Sequence, residues 1–432
     1  MSPLSTLQQT AIDYALKNPY SILACCMGSG KTRMIIEAQK ITQEKLLVVC
    51  PAYLVNKWLA EFKKWSPATT VSAFKKSDEI KTPNTEVAIV PYSLLLSKTF
   101  NMQDPTLESI QVTSRAEILF QWAEYVAVDE AHLAKTMSAN RTQALHKFIY
   151  ENEPNRLSLL SGTPIKNRVA EFYSLIALTN YNPVIKESAF LKKFPNDILF
   201  ADYFSNRVEY TVGMGSWARS VVKYEGLRNV EELKQWLQGV YIKLEDTSGP
   251  QLLFLDVQLD LRDMPNLQEE FELFMLDDTV DSTAKAQSAL LKAPYTVLYV
   301  KDLLEEVDQV VIFTDHVTSC EAIAKAFGVE AITGKMPADR RTQLGLDFQS
   351  QKSKVIVATI GSFSSGVDLD PCRDLVFNDF SWVPGDNDQA IYRIKRMTQK
   401  MRPRIHNLFA SPQDEKIWNT LKEKLAVIKA ST

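Results

Sequence analysis

Short apolar runs recur along the chain: "LLVVCP" from Leu46, "VAIV" at 87–90, "YVAVDE" at 125–130 and "RLSLLSGTP" at 156–164. Each is too short for a helix, rich in β-branched residues and largely free of polar positions, as in strands buried on both faces of a parallel sheet. Between them lie segments such as "LVNKWLAEFKKW" and "RTQALHKFIY", whose apolar residues recur at helical spacing. The alternation predicts a doubly wound α/β domain. A second series, "VVIFTD" (310–315), "KVIVAT" (354–359) and "DLVFND" (374–379), is separated by "TSCEAIAKAF" and "ADRRTQLGLDF" and predicts a second α/β domain. From Tyr181 to Pro250 strand-like runs give way to aromatics and amphipathic pieces such as "NVEELKQWLQGVY". The expected organisation is therefore α/β at 1–180, a small, mostly helical insertion at 181–250, and α/β at 251–432.

Composition narrows the class without naming a chemistry. At 432 residues the chain exceeds one core, and 45% apolar with 23% charged residues is ordinary for a folded protein. The N-terminus "MSPLSTLQQT" lacks a basic start followed by an apolar run, and no stretch is apolar for the ~18 residues a membrane span needs. Neither export nor membrane insertion is expected. Cys25, Cys26, Cys50, Cys320 and Cys372 form an odd set without C-x-x-C spacing, so neither disulfides nor structural zinc are indicated, and buried thiols in a reducing cytoplasm are expected. A net charge of −3 argues against a surface that coats nucleic acid indiscriminately, while leaving room for a local basic groove.

Three segments carry candidate chemistry. "ACCMGSGKT" (24–32) places a glycine-rich turn between an apolar strand, "SILAC", and a helix, "TRMIIEAQK". That order aims backbone N–H groups and a helix N-terminus at phosphates, although a glycine turn can also serve backbone geometry alone. Met27, Gly28, Ser29 and Gly30 would form the cradle, Lys31 would contact the β- and γ-phosphates, and Thr32 would ligate Mg²⁺. "VAVDEAH" (126–132) ends a buried strand in two carboxylates, costly there unless an ion or ligand compensates them. Asp129 suits Mg²⁺ and Glu130 suits polarising a water; a helix N-cap is the alternative. In "QAIYRIKRMTQK" (389–400), helical spacing puts Gln389, Tyr392 or Arg393, and Arg396 near one face. Arginines there can stabilise phosphoryl transfer, by about 10³–10⁵ in rate, or form a solvated basic face.

In their order along nearly the whole chain, these segments resemble the superfamily 2 helicases, and within them the SWI/SNF-like branch. "LACCMGSGKT" is similar to motif I with a small residue in place of the first glycine, "VVCPAYLVNKWLAEFKKW" (48–65) to Ia, "VPYSLL" (90–95) to Ib, "DEAHLAK" (129–135) to II, and "LLSGTPIKNRVAEFYSLI" (159–176) to III. "VVIFTDHVTSCEAIAKAF" (310–327) resembles motif IV, and 358–399 resembles motifs V and VI. Asp368 stands where the branch generally has asparagine, and "MTQ" replaces "IGQ" after Arg396.

The resemblance implies two RecA-like domains in tandem that bind ATP with Mg²⁺ and act on DNA. It assigns Gln8 to adenine, Gly366 and Asp368 to the nucleotide, Gln389, Arg393 and Arg396 to the γ-phosphate, and Ser161 and Thr163 to coupling hydrolysis with movement. Candidate nucleic-acid contacts are Lys57, Trp58, Tyr92 and Ser93 in the first domain and Thr333, Lys335, Thr359 and Trp382 in the second. Trp58, at helical spacing from Phe62 and Trp65, also fits core packing. The segment 206–237 resembles the helical insertion of annealing and fork-remodelling members. The implied protein is a compact bacterial or phage DNA helicase or translocase, cytoplasmic and monomeric, acting on forks, Holliday-type junctions or duplex. The alternatives are an RNA helicase and a duplex-DNA motor subunit without strand separation.

Overall fold

The computed structural model describes residues 3–95, 115–180, 188–212, 219–245, 250–264, 267–268, 274, 282–362, 369, 372–395, 399 and 401–432. The chain divides into two compact units, Met1–Glu245 with Ala426–Thr432, and Asp246–Leu425.

The first unit is built on a seven-stranded sheet whose strands are β1 (Tyr20–Cys25), β2 (Leu46–Cys50), β3 (Val71–Ala73), β4 (Val87–Pro91), β5 (Tyr125–Val128), β6 (Arg156–Ser161) and β9 (Tyr241–Leu244). Their order is β3-β4-β2-β5-β6-β1-β9, and every neighbouring pair is parallel. A parallel sheet needs a cover on each face because its crossovers lie there. Alternation within each strand supplies both. Leu23, Val48, Ile89 and Ala127 face a core shared with the helices Thr6–Lys17, Lys31–Thr42 and Val55–Trp65. Ile22, Val49, Val90 and Val128 face the opposite core, with Phe120, Phe148, Ile176 and Phe200 from helices on the other side.

The second unit repeats the plan. β10 (Leu253–Gln258), β11 (Val310–Thr314), β12 (Ala331–Ile332), β13 (Val355–Thr359), β14 (Asp374–Phe377) and β15 (Arg404–Phe409) form a parallel sheet in the order β10-β15-β14-β11-β13-β12. Val311 and Phe313 face one core and Val310 and Ile312 the other. The protein is thus α/β, with two parallel-sheet domains in tandem.

The segment read as mostly helical is more mixed. It contains the helices Ala189–Lys193, Asp197–Phe204 and Val230–Leu237, but also an antiparallel hairpin of β7 (Asn206–Val212) and β8 (Arg219–Glu225). Its last strand, β9, pairs with β1 and completes the first sheet. Residues up to Glu245 therefore belong to the first unit. All five cysteines are buried, and no helix among the described residues is long and apolar enough to cross a membrane.

Candidate functional site

In a parallel sheet all strand C-termini share one edge, and β1, β6 and β5 are consecutive neighbours there. With about 4.8 Å between strands, the ends of β1 and β5 lie about 10 Å apart, so the glycine turn, Ser161 and the acid pair share a small stretch of that edge. β1 runs into the turn at Cys26–Gly30, where Gly28 and Gly30 take φ of 77° and 83°, and the helix Lys31–Thr42 follows. A Cβ on Gly30 would come within 2.5 Å of Gln8 Nε2. Gln8 is buried, donating from Nε2 to the Ser29 carbonyl (3.0 Å) and accepting at Oε1 from the Ser5 N–H (3.1 Å). The carboxamide expected to read adenine thus braces the turn. Lys31 folds back, its Nζ donating to the carbonyls of Cys25 (3.0 Å) and Cys26 (3.3 Å). Met27 and Thr32 are partly exposed beside it, and the buried Ser29 hydroxyl has no partner among the described residues.

Asp129 follows β5 directly and is buried. Its Oδ1 accepts the Glu130 N–H (2.9 Å) and its Oδ2 accepts the Trp58 indole N–H (2.9 Å). Burial, reinforced by Glu130, pushes its pKa up to about 6 against the opposing pull of Trp58 and Lys31. A buried carboxylate whose ionised form is disfavoured is suited to a cation, and carboxylate and hydroxyl oxygens such as those of Asp129 and Thr32 are the hard donors Mg²⁺ takes. Among the described residues, the one cluster of three carboxylate or histidine ligand atoms at metal-binding spacing is elsewhere, at Asp315, His316 and Asp379. There the Lys285 ammonium already pairs with Asp315.

Glu130 has φ 51° and ψ 48°, a left-handed conformation that costs a non-glycine residue about 1–2 kcal/mol. The turn sends its carboxylate toward His132, whose Nδ1 lies 3.3 Å from Glu130 Oε2 and 3.0 Å from Ser161 Oγ. Ser161 Oγ in turn accepts the Thr163 N–H (3.1 Å). Burial, with Lys166, Lys135, Lys31 and Arg141 around it, drives the His132 pKa well down, so the ring is neutral. The two coupling candidates are therefore brought beside the acid pair by a histidine to which sequence reasoning gave no role. Its spacing, two residues after Glu130, was the available signal.

The first-unit nucleic-acid candidates separate into two kinds. Lys57 and Ser93 are exposed. Trp58 and Tyr92 are 1% and 6% exposed, so neither presents a ring to a nucleic acid. Instead the Tyr92 hydroxyl donates to the Asp129 carbonyl (3.0 Å), while Trp58 holds the same residue's carboxylate. The core reading of Trp58 was half of the answer, since its ring packs inside and its N–H serves the acid.

In the second unit Lys335 is exposed, Trp382 is partly exposed beneath the Lys285 ammonium (5.7 Å), and Thr333 and Thr359 are buried. Burial of those two hydroxyl residues departs from a contact role. The helix expected to carry Gln389, Arg393 and Arg396 on one face spans Pro384–Ile391. It then tightens, the Arg393 and Ile394 N–H groups bonding three residues back to Ala390 and Ile391. Gln389 lies within the helix, Arg393 on the turn beyond it, and both are buried. Gly366, Asp368 and Arg396 lie outside the described residues.

Residues 8–247 match the SNF2-related domain and residues 295–398 the helicase conserved C-terminal domain. The chain is similar to the DNA annealing helicase and endonuclease ZRANB3 of Bos taurus, 26% identical over 98% of this chain and 40% of that protein. It is also similar to the DNA repair and recombination protein RAD54B of Homo sapiens (24%, covering 94% and 50%). A third relative, SWI/SNF-related matrix-associated actin-dependent regulator of chromatin subfamily A-like protein 1 of Xenopus tropicalis, is 24% identical over 99% and 45%. The chain thus spans about half or less of the length of these relatives. Among solved structures, the Sulfolobus solfataricus SWI2/SNF2 ATPase core in complex with dsDNA aligns over 100% of this chain and 94% of that one, at 20% identity and a TM-score of 0.42.

Proposed function

The chain belongs to the SNF2-related family, and from that premise we propose that it is a DNA-dependent ATPase that translocates on DNA and remodels forks or Holliday-type junctions. One observation carries the reading most directly. The glycine turn with Lys31, the Ser161–Thr163 segment and the Asp129–Glu130 pair occupy adjacent strand ends, close enough that Lys31 lowers the pKa of both Asp129 and His132.

In this reading the turn and the N-terminus of helix Lys31–Thr42 bind the ATP phosphates by backbone N–H groups, and Lys31 exchanges its carbonyl partners for phosphate oxygens. Thr32 and Asp129 would hold Mg²⁺, which would neutralise developing phosphate charge. Glu130 orients and deprotonates the attacking water, and neutral His132, bonded to Ser161, stands beside its carboxylate. Gln389, Arg393 and Arg396, with Gly366 and Asp368, are the second unit's residues assigned to nucleotide recognition. Lys57, Ser93 and Lys335 contact the phosphodiester backbone, which fixes position without reading sequence.

The preference for branched DNA rests on the hairpin of β7 and β8, which displays exposed Arg207, Tyr210 and Val222, together with the relatives named above. The test is ATPase turnover with linear duplex, single strand, fork, four-way junction and RNA measured side by side. Forked and four-way DNA are expected to stimulate most. Equal stimulation by linear duplex and fork would remove the branch preference, and stimulation by RNA alone would replace the whole reading with an RNA helicase.

A further inference from the structure

Two neighbouring strand ends hold the same pairing of residues. After β2, the helix Val55–Trp65 turns Lys57 outward and Trp58 inward. After β4, Tyr92 points inward and Ser93 is exposed. Both inward aromatics end on one residue, with Trp58 Nε1 2.9 Å from the Asp129 carboxylate and Tyr92 Oη 3.0 Å from its carbonyl. Because the sheet order is β4-β2-β5, these bonds tie the ends of three consecutive strands together at Asp129. Each side chain is buried, so its hydrogen bond meets little competition from water.

Lys57 and Trp58 are consecutive on one helix, and Tyr92 and Ser93 on one tight turn, so a shift of either element moves both members of its pair. A phosphate bound at Lys57 or Ser93 that displaces its element therefore moves Trp58 or Tyr92 with it. We propose that Trp58 and Tyr92 are positioning residues through which nucleic acid bound at Lys57 and Ser93 sets the placement of Asp129, and so the affinity for the metal–nucleotide. This inference rests on the DNA-dependent ATPase reading above. It adds two specific bonds as the route, in a unit where four contact residues were expected and two are internal.

The effect is a coupling between two ligands, and it must be reciprocal. With the full chain, the Kd of ADP is measured with Mg²⁺ and with EDTA, each with and without saturating duplex DNA, and the DNA Kd is measured with and without Mg·ADP. The wild-type chain is expected to show a coupling factor of about fivefold or more in both directions, requiring Mg²⁺. Tyr92→Phe, which keeps the ring and removes the donor, and Trp58→Phe, which removes the donor and puts a smaller ring in its place, are expected to bring that factor toward one and to weaken Mg·ADP more than ADP in EDTA. A packing role alone would lower the melting temperature and leave the factor intact. Should Trp58→Phe fail to fold, Tyr92→Phe, which lacks a single oxygen, decides. Full coupling retained in the folded variants overturns this inference alone. A wild-type chain whose ATPase ignores DNA, and whose Mg·ADP affinity is the same with and without it, overturns the underlying reading as well.

Discussion

Gly30→Ala tests the glycine turn where its geometry is tightest. Two costs add. Alanine at φ 83° enters the left-handed region, at about 1–2 kcal/mol, and its Cβ would stand 2.5 Å from Gln8 Nε2. Gln8 must swing away, giving up its bond to the Ser29 carbonyl, worth about 0.5–1.5 kcal/mol net. The total is about 1.5–3.5 kcal/mol, which in a domain of this size lowers the melting temperature by roughly 3–14 °C. The double variant Gln8→Ala/Gly30→Ala separates the costs, because removing the Gln8 side chain abolishes the collision but leaves the strain. A double-mutant cycle by thermal or urea melts should give a coupling of about 0.5–1.5 kcal/mol, and Mg·ATP binding should weaken with the turn. If Gly30→Ala melts with the wild-type chain and binds Mg·ATP within twofold of it, the argued role of Gln8 as a brace on the turn is wrong.

Glu130→Gln removes the proposed general base while keeping the size and the contact with His132, so ATP is expected to bind while steady-state turnover falls by about 10²–10⁴; a turnover within tenfold of wild type would refute the assignment. The second concerns acid. Burial holds the His146 pKa down to about 3, against about 6.5 in the unfolded chain. Its contribution is fully present above pH 6.5 and is lost as pH falls toward 3, because the unfolded state takes up the proton first. Asp129, raised to about 6, acts in the opposite sense between about pH 6 and 4. Urea melts from pH 7 to 4 should therefore show His146→Gln losing stability less steeply than wild type, by at most about 1.4 kcal/mol per pH unit, and identical slopes would refute the assignment.

The central strands were legible because burial on both faces leaves only apolar residues to read, as in Leu46–Cys50 and Val310–Thr314. β3 and β12 are three and two residues long, too short for any period to register. The hairpin was readable in principle, since Val208, Tyr210 and Val212 alternate with polar residues at the strand period. The nearby aromatic, amphipathic helices outweighed that signal. The residues of the glycine turn and the acid pair were legible from type and spacing. What side chains face was not, since Trp58 on a helix with Phe62 and Trp65 reads as core from spacing alone, and nothing in the sequence shows that its N–H ends on Asp129. The end of the Pro384–Ile391 helix was equally hidden, because tightening at Arg393 depends on hydrogen-bond geometry and no breaker residue marks it.

The strain at Glu130 follows from this convergence. A non-glycine residue keeps a left-handed backbone only when its surroundings over-determine it, and residues 129–132 are held from several strand ends at once. Trp58, after β2, holds the Asp129 carboxylate; Tyr92, after β4, holds its carbonyl; and Ser161, ending β6, holds His132. At about 0.5–1.5 kcal/mol net each, three such bonds together contribute about 1.5–4.5 kcal/mol, enough to offset the cost of about 1–2 kcal/mol for the turn. With all of them made, Glu130 stays in the one conformation that presents its carboxylate to His132. With one lost the margin narrows, and with two lost an ordinary backbone conformation, in which Glu130 points elsewhere, becomes competitive. The placement of the Glu130 carboxylate therefore depends on the strand ends around it as well as on its own side chain.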